Sequence, residues 1–217
     1  MKREIIITSD GSTTIHLPDM DEQYHSKHGA IQEAYHVFID AGFRKVCLEE
    51  LSILEIGFGT GLNCLITLLE DYKTINYVGV EAYPVDELEV KKLNYVSELK
   101  VEGNDVFFDK IHNSPWGEVC EITDKFNLEK RKQFFQDISD ENMYDLIYFD
   151  ASGARVQPEL WTEIIFEKMF VALKVGGVLV TYSAKGSVRR AMQAVGFVVE
   201  RLPGPPGKRE MLRALKI

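Results

Sequence analysis

The chain has 217 residues, of which 45% are hydrophobic and 27% charged, and it carries a formal net charge of −9. That length suits a single domain, residues 1–217, with one well-buried core, and the balance excludes a disordered or fibrous chain. No run of eighteen apolar residues is present, which argues against a membrane span. Cys47, Cys64 and Cys120 lack any C-x-x-C spacing, which argues against a disulfide framework or a zinc site.

Taken in order, residues 1–23 predict an antiparallel hairpin with turn chemistry at Ser9-Asp10-Gly11-Ser12. Ile5-Ile6-Ile7 is too short for a secretory signal, so a cytoplasmic location is expected. Tyr24 to Ala30 leads into a helical pattern, Ile31, Ala34, Tyr35, Phe38 and Ile39, stopped by Gly42. His25, His28 and His36 have no Cys or Asp partners at ligand spacing. Packing or substrate contact suits them better than a metal, and no metal is expected. Residues 1–45 read as an N-terminal extension and 46–217 as the core.

The core opens with an apolar strand, Ile53, Leu54 and Ile56, that runs into Gly57, Gly59 and Gly61 and then into a helical pattern from Leu62 to Leu69. Glycines at that junction let a backbone turn sharply while pressing on a ligand, commonly a nucleotide or nucleoside. A dinucleotide fingerprint would require glycine at position 62, where leucine stands. The observed wording, Glu55-x-Gly57-x-Gly59-x-Gly61, resembles motif I of class I S-adenosylmethionine (SAM) methyltransferases. Glu55 would then attract the cationic methionyl end of SAM, where a pyrophosphate would be repelled. A second strand, Ile75 to Val80, delivers Glu81, placed for ribose hydroxyls.

Ala82-Tyr83-Pro84 starts a helix running to about Leu93, and residues 95–142 are the least legible part. Strand-like stretches at Val119–Ile122 and Phe126–Phe135 precede Asp137, a candidate for the adenine amine. Tyr144 to Phe149 is a fourth apolar strand ending in Asp150. Gln157 to Trp161 opens a helix, Val178 to Tyr182 is a fifth strand, and two strands close the chain around Leu202 to Gly207. This order fits an α/β, Rossmann-like doubly wound sheet, mostly parallel, whose last strand is antiparallel. Charge is uneven: Ser183 to Ile217 carries +6, leaving −15 elsewhere, an asymmetry that suits either an anion-binding face or ordinary solvated side chains.

With these pieces in place the chain resembles the MnmC-type tRNA methyltransferases, which methylate 5-aminomethyl-2-thiouridine at the wobble position. The likeness is carried by Glu55-Ile-Gly-Phe-Gly-Thr-Gly-Leu-Asn63, Glu81-Ala-Tyr-Pro84, Asp150 with Pro158-Glu-Leu-Trp161, and Lys174-Val-Gly-Gly177. It continues through Thr181 to Arg190, Gly196-Phe197 and Gly207-Lys-Arg-Glu-Met211. The resemblance implies a class I SAM-dependent methyltransferase fold with SAM held by Glu55, Gly57, Phe58, Gly59, Gly61, Asn63, Glu81 and Asp137. It implies no metal and no FAD, since the chain reads as the stand-alone form without a fused oxidase domain.

Asp150 is the expected catalytic group, orienting the acceptor amine and taking its proton, although a strand-end aspartate can equally cap a helix or hold the SAM amino group. Lys208 and Arg209 fall on the substrate side, with Lys185, Arg189 and Arg190 extending a basic face along a tRNA anticodon stem-loop. Tyr24 and Trp161 are candidate stacking partners for a splayed base. No obligate protein partner is inferred. The loop Asp150-Ala151-Ser152-Gly153-Ala154 departs from the family wording, which keeps open a small-molecule or protein acceptor, or a SAM-binding protein without catalysis.

Overall fold

The computed structural model describes residues 2–101, 103 and 105–217. An N-terminal sheet is formed by β1 (Glu4–Ile7), β2 (Thr13–Leu17) and the two-residue β3 (Glu22–Gln23), paired antiparallel in that order. The turn between β1 and β2 is built on Asp10, whose carboxylate accepts from the Ser12 amide at 3.1 Å and the Thr8 hydroxyl at 2.7 Å. Helix α1 (Ala30–Ala34) follows and widens into a π-helical segment, Tyr35–Asp40. The expected helix is therefore present, with a wider second half.

The large sheet has eight strands. In chain order its first members are β4 (Glu50–Ile56), β5 (Thr74–Val80), β6 (Val119–Thr123), β7 (Phe126–Arg131) and β8 (Tyr144–Phe149). β9 (Leu173–Thr181), β10 (Val198–Pro203) and β11 (Glu210–Leu215) complete it. The spatial order is β10-β11-β9-β8-β4-β5-β7-β6. β4 pairs in parallel with both β5 and β8, β5 with β7, and β8 with β9. The last strand, β11, runs antiparallel to β9 and β10, as expected, and β6 adds an antiparallel edge at the far side.

A strand buried on both faces is mostly apolar, and β4 shows why its one buried acidic residue matters. Side chains alternate along it: Leu51 and Ile53 pack toward α2 (Leu62–Leu69), while Leu54 and Ile56 face the opposite layer. Glu55 falls on the α2 side and has no exposure at all. The opposite layer holds α6 (Glu163–Ala172) and α7 (Gly186–Ala194), with Phe166 of α6 packed on Phe149 and Met169 in the same cluster.

Shorter helices α3 (Glu87–Val90), α4 (Tyr95–Glu98) and α5 (Asp105–Asn113) fill the interval between β5 and β6. α3 is a single turn stopped well short of Leu93. Asp86 and Glu89 close a capping box at its start. The helix expected from Gln157 is broken at Thr162, with a 3₁₀ turn at Pro158–Trp161 and α6 beginning at Glu163. Among the described residues no helix is long and apolar enough to cross a membrane.

Candidate active site

A cleft of about 1350 Å³ opens between the N-terminal segment and the carboxyl ends of β4, β5 and β8. Gly57, Gly59, Glu81 and Asp150 line it from the sheet side. Arg3, Tyr24, His25 and Glu33 line it from the N-terminal side. The expected juxtaposition of glycine loop, second-strand acid and fourth-strand acid is therefore present in one crevice.

The loop owes its shape to two backbone contacts and two histidines. The amides of Gly57 and Phe58 both donate to the Val80 carbonyl at 3.0 Å, which pulls the turn over the end of β5. Gly57, Gly59 and Gly61 have φ of +89°, +49° and +73°, a region that glycine enters freely. A Cβ on Gly57 would stand 2.5 Å from the Asp150 carbonyl oxygen, and one on Gly59 would fill space 3.3 Å from the Tyr24 ring. His112 Nε2 donates to the Thr60 carbonyl at 3.1 Å, and His25 Nε2 lies 2.8 Å from the Thr60 hydroxyl, which also accepts from Tyr95. Burial lowers both imidazoles to about 4, so each is neutral at pH 7. The loop is clamped from both sides.

Beneath it runs a buried polar chain. Tyr77 donates its hydroxyl to Glu55 Oε2 at 2.8 Å, and Asn63 Nδ2 donates to Glu55 Oε1 and to Asp150 Oδ2, each at 2.9 Å. Burial pushes the Glu55 carboxyl well above the usual range. Asp150 is pushed up to about 7, chiefly by burial and then by the negative charge of Glu33, with the Asn63 hydrogen bond and the Lys208 ammonium opposing the shift. Asn63 Oδ1 is buried without a partner, so Asn63 offers its whole donor capacity to the two acids.

Several residues expected at the ligand lie elsewhere. Glu55 does not face the cleft: strand alternation turns it into the layer beneath, where it acts through Asn63. The Phe58 ring packs over Gly79 and edge-on to His112 and Trp116, with 3% exposure. Gly61 and Asn63 shape the start of α2 without lining the cleft. Asp137 closes a 3₁₀ turn, Phe135–Asp137, and lines a separate cavity of about 560 Å³, whereas Phe134, Phe135 and Gln136 line the cleft. Trp161 is buried among Phe149, Phe166 and Tyr182, and its indole donates to the Ser152 carbonyl at 2.8 Å, so it braces the loop after Asp150 and cannot stack on a base.

The basic residues divide. Lys208 lines the cleft but is ion-paired to Glu33 at 2.5 Å, whereas Lys185 and Arg209 are exposed and stand outside it. Tyr24 does line the cleft, its ring under the Arg3 guanidinium at 5.8 Å. Glu33, Tyr182 and Gln136 are cleft residues that no sequence spacing announced, and His25, expected in packing or substrate contact, lines the cleft with them. His28 and His36 pack against the loop between β10 and β11. The His28 ring lies against Gly207, and His36 Nε2 donates to the Pro203 carbonyl at 2.8 Å.

The chemistry of the cleft selects its ligand. Seven Asp and Glu side chains line it against four Lys and Arg, so a cation is favoured over a phosphate-rich guest. Glu81 lines the floor with Oε2 accepting from the Gly59 amide at 3.1 Å and Oε1 from the Tyr83 amide at 2.9 Å, each oxygen keeping a lone pair for a hydroxyl. A glycine cradle with acids beside it fits a sulfonium nucleoside such as SAM, which supplies a methyl group on positively charged sulfur.

Comparison with known proteins agrees. Residues 125–217 match a family described as S-adenosyl-L-methionine-dependent methyltransferase. The tRNA 5-methylaminomethyl-2-thiouridine biosynthesis bifunctional protein MnmC of Cupriavidus metallidurans is 28% identical over 96% of this chain and 33% of its own. The protein of the same name from Leptospira interrogans is 30% identical over 88% of this chain and 32% of its own. The chain thus spans about a third of the length of the curated relatives it matches. Among solved structures, MnmC2 of Aquifex aeolicus superposes with a TM-score of 0.76 at 22% identity, covering 99% of this chain and 70% of that one. Spermidine synthase of Thermotoga maritima gives 0.58 at 15%, covering 98% and 72%. The chain thus has a Rossmann-like fold, matches a SAM-dependent methyltransferase family over residues 125–217, and is similar over most of its length to part of the MnmC proteins.

Proposed function

We propose that this chain transfers a methyl group from SAM to the primary amine of 5-aminomethyl-2-thiouridine at the tRNA wobble position, giving 5-methylaminomethyl-2-thiouridine. The observation that carries the reading is Asp150: a half-buried carboxyl lining the same cleft as Gly57 and Gly59, hydrogen-bonded by Asn63 and pushed up to about 7. The relatives' names, which refer to biosynthesis of 5-methylaminomethyl-2-thiouridine in tRNA, support the choice of product.

An alkylamine has a pKa of about 10 in water and arrives as an ammonium, which has no lone pair to attack with. Asp150 receives one N–H proton, the freed pair forms the N–C bond, and the C–S electrons leave with the sulfur as a neutral thioether. An acid poised near neutrality suits that exchange, since it is ionised often enough to accept and neutral often enough to release. The remaining task is alignment of nitrogen with methyl carbon and exclusion of water. Tyr24 and the loop Ala151–Ala154 flank the cleft for that purpose. That loop is fixed by Trp161 on the Ser152 carbonyl and by Tyr182, whose hydroxyl donates to the Ala151 carbonyl at 2.8 Å.

In this reading residues 1–45 form a cover over the core of 46–217, Lys185 and Arg209 meet RNA phosphates outside the acidic cleft, and the anticodon stem-loop of a cytoplasmic tRNA is the partner. A second reading, a small cationic amine as acceptor, is favoured by the excess of acids over bases in the cleft. The two are separated by transfer of labelled methyl from SAM to tRNA rich in 5-aminomethyluridine, with tRNA lacking that modification as control. Label in the first tRNA alone supports the wobble-uridine reading. Label in neither, with SAM bound in calorimetry, rejects it in favour of a smaller acceptor.

A further inference from the structure

Lys208 sits in the loop between β10 and β11 yet its ammonium is not in solvent. It reaches into the cleft, pairs with Glu33 Oε1 at 2.5 Å and stands 4.0 Å from the centroid of the Tyr182 ring. Both walls of this seat are fixed independently of Lys208. Glu33 is buried and its other oxygen accepts from the Ser26 amide at 2.8 Å, and the Tyr182 hydroxyl is tied to the Ala151 carbonyl. The lysine side chain, by contrast, arrives on the turn between β10 and β11, in which Pro206 and Gly207 are exposed and Pro205 is buried.

A buried carboxylate beside an aromatic face is the recognition chemistry of an alkylammonium. The seat lies in the cleft with Asp150, close enough for the charges of both Glu33 and Lys208 to act on that carboxyl. A lysine ammonium is itself a primary alkylammonium, the chemical class of the acceptor. We propose that Glu33 and the face of Tyr182 form the acceptor's ammonium seat, and that Lys208 occupies it as a tethered surrogate which the incoming amine displaces. The inference rests on the amine-acceptor reading above and deepens it: Glu33 and Tyr182 determine specificity for a cationic primary amine, and Asp150 receives its proton.

A tethered competitor acts at an effective concentration in the millimolar range, so it weakens binding of a free amine without abolishing it. Displaced, the Lys208 ammonium becomes available to an anionic part of the acceptor. Amine and anion binding are thereby coupled.

The test is a titration with propylammonium chloride, followed by ligand-observed NMR and with propanol as the neutral control. The wild-type protein is compared with Lys208→Met and with Lys208→Met/Glu33→Gln, each checked for native circular dichroism. Lys208→Met should bind propylammonium at least tenfold more tightly than wild type, propanol should bind neither, and the double variant should lose the gain. A Lys208→Met affinity equal to wild type, or a gain that persists with Glu33→Gln, overturns the seat.

A second measurement needs no variant. In wild-type protein carrying ¹⁵N-lysine, propylammonium should shift the Lys208 ammonium resonance, and an unmoved resonance at saturating ligand is equally fatal. Methyl transfer to tRNA by the wild type, with no ammonium binding, would overturn the seat and keep the acceptor reading. Ammonium binding without transfer to tRNA would do the reverse.

Discussion

Asp150 combines one strong hydrogen bond, from Asn63, with an environment that disfavours its charge. Asp150→Asn keeps an acceptor for Asn63 and removes the base, so kcat should fall by roughly 10²–10⁴-fold. SAM affinity, read by calorimetry, should stay within a few-fold. A variant with near wild-type kcat would move proton acceptance to another group. The wild-type kcat/KM should also rise with pH through about 7, as the carboxyl ionises, and the variant should lose that limb.

The same shift bears on stability. An aspartate in the unfolded chain titrates near 3.9. Between that value and about 7 the folded protein keeps a proton that the unfolded chain has released. Stability therefore declines as pH rises through this window and levels off above it. Glu55, displaced in the same direction by burial, adds to the decline. Thermal midpoints measured from pH 4 to 7.5 should fall, and more shallowly for Asp150→Asn. Parallel curves for variant and wild type would mean that Asp150 titrates normally.

At the scale of elements, the glycine loop is a backbone object. Gly59→Ala places a methyl group at φ +49° and 3.3 Å from the Tyr24 ring, in the cradle itself. The fold should survive and SAM binding should weaken at least tenfold, since the added carbon fills ligand space; calorimetry decides, and unchanged affinity would place the cofactor elsewhere. Thr60→Val removes the hydroxyl that joins His25 and Tyr95, leaving a buried Tyr95 hydroxyl unpaired. The expected loss is about 1–3 kcal/mol of unfolding free energy in urea.

These elements also show what was legible. The strand-loop-helix around Gly57 could be read because alternate glycines after an apolar run have few other physical uses, and Tyr144–Phe149 because its six residues are all buried. The facing of Phe58, Asp137 and Trp161 could not be read. A residue in a tight turn points wherever its neighbours leave room, and here Gly79 takes the Phe58 ring while Ser152 takes the Trp161 indole. Glu33 was invisible, and the partner of His25 unreadable, for another reason. His25 reaches Thr60 across 35 residues of chain, and Glu33 acts on Asp150 from farther still, through a cover whose position leaves no local pattern.

For the molecule as a whole, tRNA as the proposed acceptor would set an acidic protein against a polyanionic partner. The net charge of −9 repels RNA at long range, and the cleft is acidic as well. Binding must then depend on a local basic face, and Lys208 is not free to join it while it is paired with Glu33. Lys185 and Arg209 are exposed and outside the cleft, so they are the groups to test.

Each phosphate contact contributes about 0.7–0.9 to the slope of log affinity against log salt. The double substitution Lys185→Glu and Arg209→Glu should weaken tRNA binding at 0.1 M salt and flatten that slope by about 1.5 if both residues touch phosphate. SAM affinity should be unaffected, because neither side chain lines the cleft. An unchanged slope would mean that the RNA approaches by another side, most simply the rim carrying Arg3, Lys27 and Lys92, which are the remaining cations at the cleft mouth. Weakened SAM binding would instead show that the substitutions disturb the fold, which the salt dependence alone cannot reveal.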